Sequence, residues 1–543
     1  MRVVIIGGVA GGMSAATRLR RLDESAEIIV LERSGHVSYA NCGLPYYIGG
    51  VISDENKLYL QTPDSLHKRF RLDVRVNHEV IDISSEKKAV IVRDLLSTQK
   101  SEIHFDKLIL SPGATPIVPP IAGIERALTL RTVEDVLRIY EAVEVKPKSA
   151  VVIGGGFIGV EMAENLVHKG IKTSLIEALP QVLAPLDPEM AELVHQELRK
   201  NGIDLHLANS VKEITSDEVI LSDGSKVSAE LVIASIGVKP DITLARAAGV
   251  EIGSKGGISV NGFNQTSNPD IYAIGDVAEK NDDLTGESTL IPLANIANRH
   301  GRITADHIAG KKVREVSSVG TAIVKVFDLA VATTGWNAKK LRALGKEFTE
   351  IHTHPNSHAT YYPGATQFSL KLIFDPKSGE IFGAQGVGRD GVDKRIDVIS
   401  TSIRAGITAP ELADLELAYA PPFGSAKDPV NMLGYIADNI VSKSTEIAQW
   451  SEINKFIADG YALVDVRSQS EYANGTIPGS INIPVDELRE RHLEINNKKV
   501  IVNCQVGQRG HVATMLLRSL GYDAKNLDGG YLTWINSPAG NIK

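Results

Sequence analysis

The chain has 543 residues, a formal net charge of −8, 43% hydrophobic residues and 23% charged residues. That length exceeds one ordinary domain and suits three or four, in a composition typical of soluble globular proteins. The acidic balance argues against nucleic acid, and no apolar run reaches the length of a membrane helix.

Met1-Arg2 leads at once into Val3-Val4-Ile5-Ile6 and glycines, unlike a secretory signal. A cytoplasmic protein without a membrane or nucleic-acid partner is expected. Its only cysteines are Cys42 and Cys504, each in its own glycine-rich loop. So few thiols suit a reducing compartment, where they are more often catalytic than structural. The pattern suggests sulfur redox chemistry, with one thiol at each of two stations.

The chain opens with a strand, a glycine turn and a helix through Arg21. Gly7 and Gly12 hold the outer places of a G-x-G-x-x-G fingerprint, but Val9 replaces the middle glycine. A second strand, Ile28-Ile29-Val30-Leu31, ends at Glu32. The same grammar returns after Ala150-Val151-Val152-Ile153, now complete as Gly154, Gly156 and Gly159. Its glycines permit a tight turn, backbone approach to a pyrophosphate, and close helix–strand packing. The helix start then offers amides and a positive dipole end.

Thr173-Ser174-Leu175-Ile176 ends at Glu177, 18 residues beyond Gly159. A carboxylate there accepts both ribose hydroxyls and repels a 2′-phosphate, and Ala178 and Leu179 offer no cation, which favours NADH over NADPH. Two such units suggest two nucleotide-binding domains, the second inserted in the first. The chemical reason for two dinucleotides is a flavin that accepts a hydride from a nicotinamide. Ile271-Tyr272-Ala273-Ile274-Gly275-Asp276 reads as a strand whose terminal carboxylate can bind ribitol hydroxyls. From about 318 to 440 short strands and helices alternate without a fingerprint, and near 445 a helix–strand pattern restarts and carries Cys504.

With Ser111-Pro112-Gly113-Ala114 and Pro292-Leu293-Ala294, these segments resemble the FAD/NAD-dependent pyridine nucleotide-disulfide reductase family over roughly residues 1–440. The resemblance implies an α/β protein with two Rossmann-like domains: FAD-binding in 1–112 and 250–317, NADH-binding in 113–249. An α+β dimerisation domain in 318–444 would make a homodimer whose active site is shared between subunits. The implied cofactor contacts are Gly7, Ala10, Gly11, Gly12, Glu32, Arg33, Asn41, Ser111, Gly113, Gly275, Asp276, Pro292, Leu293 and Ala294, with Gly154, Gly156, Phe157, Ile158, Gly159, Glu161, Glu177 and Gly237.

Most disulfide reductases of that family pair two cysteines as C-x4-C, but here Tyr47 holds the second place. Cys42 must therefore pair with an outside atom, in a mixed disulfide with a small thiol or as a sulfenic acid. Ser38-Tyr39-Ala40-Asn41-Cys42-Gly43-Leu44-Pro45-Tyr46-Tyr47 resembles the coenzyme A-disulfide reductase branch. That likeness implies a Cys42–coenzyme A mixed disulfide, its thiolate stabilised by the flavin environment and a helix N-terminus. The phosphates of coenzyme A need cations, and Arg18, Arg20 and Arg21 follow the first glycine loop. The coenzyme A candidates are Arg18, Arg21, Ser38, Asn41, Cys42, Thr62, Asn298 and Arg302.

The branch implies proton donation to a departing thiolate by Tyr419 and one of Tyr361 or Tyr362, as a phenol near pKa 10 can supply. His352, His354 and His358 are spaced like metal ligands. No supporting carboxylate is read nearby in sequence, and the adjoining tyrosines account for the loop, so no metal is expected.

Cys504 follows the strand Val500-Ile501-Val502 and opens Cys504-Gln505-Val506-Gly507-Gln508-Arg509-Gly510. Such a loop can curl its amides around the sulfur over a helix start, stabilising a persulfide anion, while Arg509 attracts an anionic donor. With Leu463-Val464-Asp465-Val466-Arg467, Glu471-Tyr472, Ile477-Pro478-Gly479-Ser480 and Gly529-Gly530, it resembles the rhodanese domain over about 445–543. Thr476 departs from the histidine common there.

The resulting reading is an NADH-dependent flavoenzyme that reduces persulfides, polysulfide or coenzyme A disulfides at Cys42, with sulfane sulfur delivered by Cys504. An NADH oxidase or peroxidase cycling a Cys42 sulfenic acid would use the same cofactors, but peroxide reduction needs no sulfur carrier. A non-catalytic sulfur sensor or carrier would not need the complete NADH fingerprint.

Overall fold

Val3, Val4, Ile5 and Ile6 are all buried, as a central parallel strand with both faces covered requires. The computed structural model describes residues 1–540; positions 541–543 of the rhodanese-like segment lie outside the described residues. The chain forms two compact units, Met1–Pro180 with Gly202–Gly320, and Gln181–Asn201 with the chain from Thr321 onward.

In the first unit Arg2–Ile6 lies in a five-stranded parallel sheet, in the order Ile271–Ala273, Lys107–Leu110, Arg2–Ile6, Glu27–Leu31, Asp73–Arg75. A second parallel sheet has the order Asp204–His206, Lys172–Ile176, Ser149–Ile153, Leu231–Ala234, Leu128–Thr129. The helix Ala10–Leu22 follows the first glycine loop, and Phe157–His168 follows the second. The helix Ala294–Ile308 lies close along Ala10–Leu22: a Cβ on Gly301 would come 2.4 Å from the Gly11 carbonyl oxygen. That close approach brings Asn298 beside Ser14, and Arg18 and Arg302 to Asp306.

The second unit begins with an antiparallel sheet, in the order Ala322–Val326, Leu329–Gly335, Ile381–Gly388, Phe368–Phe374, Thr349–Thr353. The helices Val392–Ala405 and Pro429–Val441 share its apolar core. A parallel sheet follows, in the order Ile447–Ala448, Asp523–Leu527, Lys499–Asn503, Ala462–Asp465, Ile481–Asn482. Strand alternation sends Val500 and Val502 to one core with Ala513 and Leu517, and Ile501 to another with Leu527 and Trp534. The helix Pro188–Lys200 also belongs to this unit, although its sequence lies within 113–249. No helix among the described residues is long and apolar enough to cross a membrane.

Candidate functional site

The two glycine loops share one geometry. Glu32 accepts hydrogen bonds from the amides of Gly8 (2.8 Å) and Ser34 (2.9 Å). Glu177 accepts from Gly155 (2.6 Å) and Leu179 (2.8 Å). Each carboxylate therefore ties its strand end to its glycine loop and keeps further lone pairs for ribose hydroxyls. Burial pushes the Glu32 pKa up against those amide bonds.

The glycines divide by what a side chain would meet. A Cβ on Gly154 would lie 2.4 Å from the Ser235 carbonyl, and one on Gly159 1.8 Å from the Gly154 carbonyl. A Cβ on Gly156, by contrast, would meet nothing within 4 Å. The first and third glycines are thus required by the fold itself. The open space over Gly156 fits the approach of a pyrophosphate. In the first loop Gly7 (φ +100°) and Gly12 are fold-required in the same way, with contacts of 2.0 and 1.9 Å.

Phe157, Ile158 and Gly159 open their helix, as Ala10, Gly11 and Gly12 open theirs. Gly11 faces Ser111, whose hydroxyl would stand 3.1 Å from an added Cβ. Asp276 sits in the turn Gly275–Val277 and pairs with Arg131 at 3.0 Å; a Cβ on Gly113 would strike the same guanidinium at 2.7 Å. Leu293 caps the helix begun by Ala294, just after Pro292. Gly237 (φ +126°) accepts from the Ile117 amide, and Arg33 lies 3.8 Å from Asp241.

Cys42 lies in the single turn Asn41–Gly43, ahead of the short helix Leu44–Ile48. Ser38 takes a left-handed conformation (φ +48°), held by bonds to the Gly8 carbonyl and the Leu60 amide. The buried Asn41 side-chain oxygen has no protein partner, as a group that meets a ligand would. Tyr47, in the place of a second cysteine, is buried and stacks on Tyr140.

The helix that follows Cys42 has only five residues. Although the residue is exposed, its sulfur is partly enclosed, and in the protein alone the Cys42 pKa is raised, first by that desolvation and then by the charges of Glu161 and Asp276, with Arg131 opposing. Glu161 accepts from the Tyr46 hydroxyl at 3.1 Å, and burial with the charge of Glu164 pushes it up to about 7 against that bond.

Of the coenzyme A candidates, Arg18 donates to Asp306 (2.8 Å), Arg302 lies 3.9 Å from the same carboxylate, and Asn298 accepts from Ser14 (2.7 Å). Arg21 is exposed on the same helix as Arg18. Arg20 is turned inward, its guanidinium donating to the carbonyls of Phe70, Arg71, Asp23 and Glu24. Thr62 caps the helix Pro63–Phe70 and accepts from the Ser65 amide.

In the second unit the Tyr361 and Tyr419 hydroxyls bond to each other at 2.9 Å, while Tyr362 packs edge-on against His358. The pairing selects Tyr361 over Tyr362 as the companion of Tyr419. All three rings are exposed.

The histidine string does not converge on one point. His352 bonds Asp528 (2.5 Å) and Glu189 (3.0 Å), His354 bonds Ser369 and Thr533, and His358 bonds Ser357 and the Pro363 carbonyl. His352 and His354 are both buried, and two acids remote in sequence hold His352. Nearby, Asp187, Glu189 and Glu350 surround the Lys371 ammonium at 2.9, 2.5 and 2.6 Å.

Cys504 is buried, and its sulfur accepts from the Gly507 amide at 3.2 Å. Gly507 (φ +93°) turns the loop into the helix Gln508–Ser519. Arg509 binds Glu471 through two bonds of 2.8 and 2.6 Å and also interacts with the Cys504 sulfur. The Arg509 bond holds the Glu471 pKa down to about 2. Thr476, in the place of the common histidine, bonds Asp465 and Ser480. Asp465 in turn carries the buried Arg467, which reaches the Gln505 side chain at 3.1 Å.

Residues 1–301 match the pyridine nucleotide-disulphide oxidoreductase model, and 321–429 match the dimerisation domain of the same family. The chain belongs to this family. Members use FAD and a pyridine nucleotide, which fits the twin carboxylate loops. Residues 449–537 match the rhodanese-like domain. The structure is similar to that of reduced Bacillus anthracis CoADR-RHD, with 49% identity, 98% of each chain covered and a TM-score of 0.97. It is also similar to an NAD-dependent persulfide reductase from A. fulgidus, with 36% identity, 98% of this chain and 100% of that one covered, and a TM-score of 0.93. A coenzyme A disulfide reductase of Staphylococcus aureus (strain JH9) is 34% identical over 440 residues, 80% of this chain and 99% of its own.

Sequence reasoning missed Arg131, and it placed Tyr46 and Glu471 in their motifs without giving either a role. Their parts emerge only from remote partners: Asp276, Glu161 and Arg509.

Proposed function

We propose that this disulphide oxidoreductase uses NADH to reduce persulfides and coenzyme A disulfides at Cys42. Cys504 supplies sulfane sulfur to that reaction. The observation that carries the reading is the separation of two unpaired thiols into unlike settings. Cys42 is exposed in the first unit with the twin nucleotide loops, and Cys504 is buried against a loop amide beside a guanidinium.

FAD, held by the Gly7–Gly12 loop, Glu32 and Asp276, would supply two-electron relay between nicotinamide and sulfur. Gly156 and Glu177 would hold NADH, and Glu177 would select against a 2′-phosphate. Arg18, Arg21, Asn298 and Arg302 would receive the phosphates of coenzyme A along the joined helices. The Cys42 thiolate attacks a substrate S–S bond, keeps one sulfur group and releases the other as thiol. A phenol of the Tyr361–Tyr419 pair, from the partner of a homodimer, gives that thiol its proton. At Cys504 the thiolate attacks the sulfane sulfur of an anionic donor, the donor's S–S bond breaks with its electron pair leaving on the donor remnant, and Arg509 attracts the donor's charge.

Cys42→Ser should retain FAD and its reduction by NADH yet lose turnover of coenzyme A disulfide and persulfide. Cys504→Ser should keep coenzyme A persulfide turnover and lose sulfur transfer from thiosulfate. Undiminished turnover in Cys42→Ser rejects the reading.

A further inference from the structure

The loop that carries Cys504 is held from outside its own sheet. The Cys504 carbonyl accepts from the Tyr531 amide at 2.8 Å, and the Gln505 carbonyl accepts from the Leu532 amide at 3.0 Å. Both donors lie in the first turn of the helix Gly530–Ile535. The fit is tight, since a Cβ on Gly530 would lie 2.4 Å from the Cys504 carbonyl oxygen. A peptide whose carbonyl is anchored cannot rotate, so its N–H direction is fixed as well. These two anchors fix the Gln505 and Val506 amides, and the Gly507 amide that faces the sulfur is packed against Gly530, where an added Cβ would lie 2.8 Å from its nitrogen.

The start of that helix is set by two histidines of the strand Thr349–Thr353 and its extension. The His352 backbone amide donates to Asp528 at 3.0 Å, and its Nδ1 donates to the other oxygen of the same carboxylate at 2.5 Å. Asp528 is two residues before Gly530. His352 Nε2 is tied at 3.0 Å to Glu189, which Lys371 holds at 2.5 Å. His354 bonds the Thr533 hydroxyl at 2.7 Å and Ser369 at 2.8 Å. The charged groups around His352 are thus Glu189, Asp528 and Lys371, with Asp187 and Glu350 on the far side of Lys371. All are buried.

We propose that His352 and His354 are positioning residues for Cys504. They fix the Gly530 helix through Asp528 and Thr533, and that helix fixes the direction of the amides around the sulfur. The proposal rests on reading Cys504 as a sulfur acceptor. In that step the thiolate attacks the outer sulfur of thiosulfate; the S–S bond of thiosulfate breaks, a Cys504 persulfide forms, and sulfite leaves with the electron pair. No oxidant is needed. When the histidine ties are cut, the peptide planes can turn carbonyl oxygens toward the sulfur and disfavour the thiolate.

The test uses the full-length flavoprotein in a Cys42→Ser background, where Cys504 is the only thiol. The pH profile of its alkylation by iodoacetamide is compared for His352→Gln, Thr533→Val and the unaltered residues. In both variants the midpoint should rise by about one unit, slowing alkylation at pH 7 about tenfold. Loading of one sulfur atom from thiosulfate, read by intact mass, should slow by a similar factor. The Arg509–Glu471 pair is untouched by either change. Thr533→Val also leaves every charge of the seam in place, so it decides the question if His352→Gln does not fold. An unshifted alkylation profile in either folded variant overturns the proposal. If Cys504 with both histidine ties intact takes no sulfur from thiosulfate, the sulfur-acceptor reading fails, while the alkylation comparison still judges the positioning.

Discussion

The phenol oxygens of Tyr361 and Tyr419 lie 2.9 Å apart, and the bond between them raises the Tyr419 pKa. Tyr419 thus keeps its proton across the neutral range, where a departing thiolate needs one. Tyr419→Phe should lower turnover of coenzyme A disulfide roughly a hundredfold, within the usual range for a lost general acid. Tyr361→Phe should cost less, because it removes only the companion hydroxyl, and Tyr362→Phe less again. Steady-state rates at fixed flavin content check the order; equal losses in all three would point to packing instead of proton donation.

Which tyrosine bonds Tyr419 was not legible from the chain, where Tyr361 and Tyr362 are adjacent and chemically alike. The local features were legible. The glycine spacing located both turns, because a turn that needs φ above zero, such as Gly7 or Gly154, leaves its mark in neighbouring residues. The acids ending the second strands, Glu32 and Glu177, stood out by their fixed distance from those glycines. The long-range pairings left no such mark. Arg131 meets Asp276 across 145 positions and His352 meets Asp528 across 176. A buried charge needs a partner, but nothing in its sequence neighbourhood says where that partner comes from. The partners of His352 were invisible for this reason, since its carboxylates arrive from other segments of the chain.

Gly156 lets the proposed NADH contact be tested apart from folding. Its backbone has ordinary dihedrals (φ −74°), and an added Cβ would meet no protein atom within 4 Å. Gly156→Ala should melt within a few degrees of the parent protein while the KM for NADH rises about tenfold or more. Gly159→Ala, whose Cβ would lie 1.8 Å from a carbonyl oxygen, should lower the melting temperature or prevent folding. An unchanged KM in Gly156→Ala would separate this loop from the nucleotide.

After desolvation, Glu161 is the largest influence on the ionisation of Cys42, through its charge. Its charge raises the thiol pKa, and its own pKa, pushed up to about 7, means that the charge appears only as pH rises through neutrality. Glu161→Gln removes the charge at every pH and keeps an acceptor for Tyr46. In a Cys504→Ser background the midpoint of Cys42 alkylation should therefore move down, by about one unit or less. A midpoint that stays put or rises would exclude an electrostatic role for Glu161.

The seam around His352 predicts how stability responds to pH. Burial favours the neutral imidazole, but the Asp528 carboxylate, with hydrogen bonds to Asp528 and Glu189, outweighs it and lifts the His352 pKa to about 9, above its unfolded value near 6.5. A raised cationic pKa contributes stability that is complete below 6.5 and fades as pH climbs toward 9. Glu189 behaves oppositely. Against the cost of burial, Lys371 and His352 hold its pKa well below the carboxylate range, so its contribution is present above about 4.5 and is lost in acid. The two together are at full strength between those limits. Between pH 6.5 and 9 the His352 term, on the order of 3 kcal/mol at most, should drain from the unit that contains Cys504. Unfolding of the full-length protein followed at Trp450 and Trp534 should show that decline. In His352→Gln the protein should start less stable near pH 6, and the slope between pH 6.5 and 9 should be nearly flat. A parent-like slope in His352→Gln would place the titrating group elsewhere.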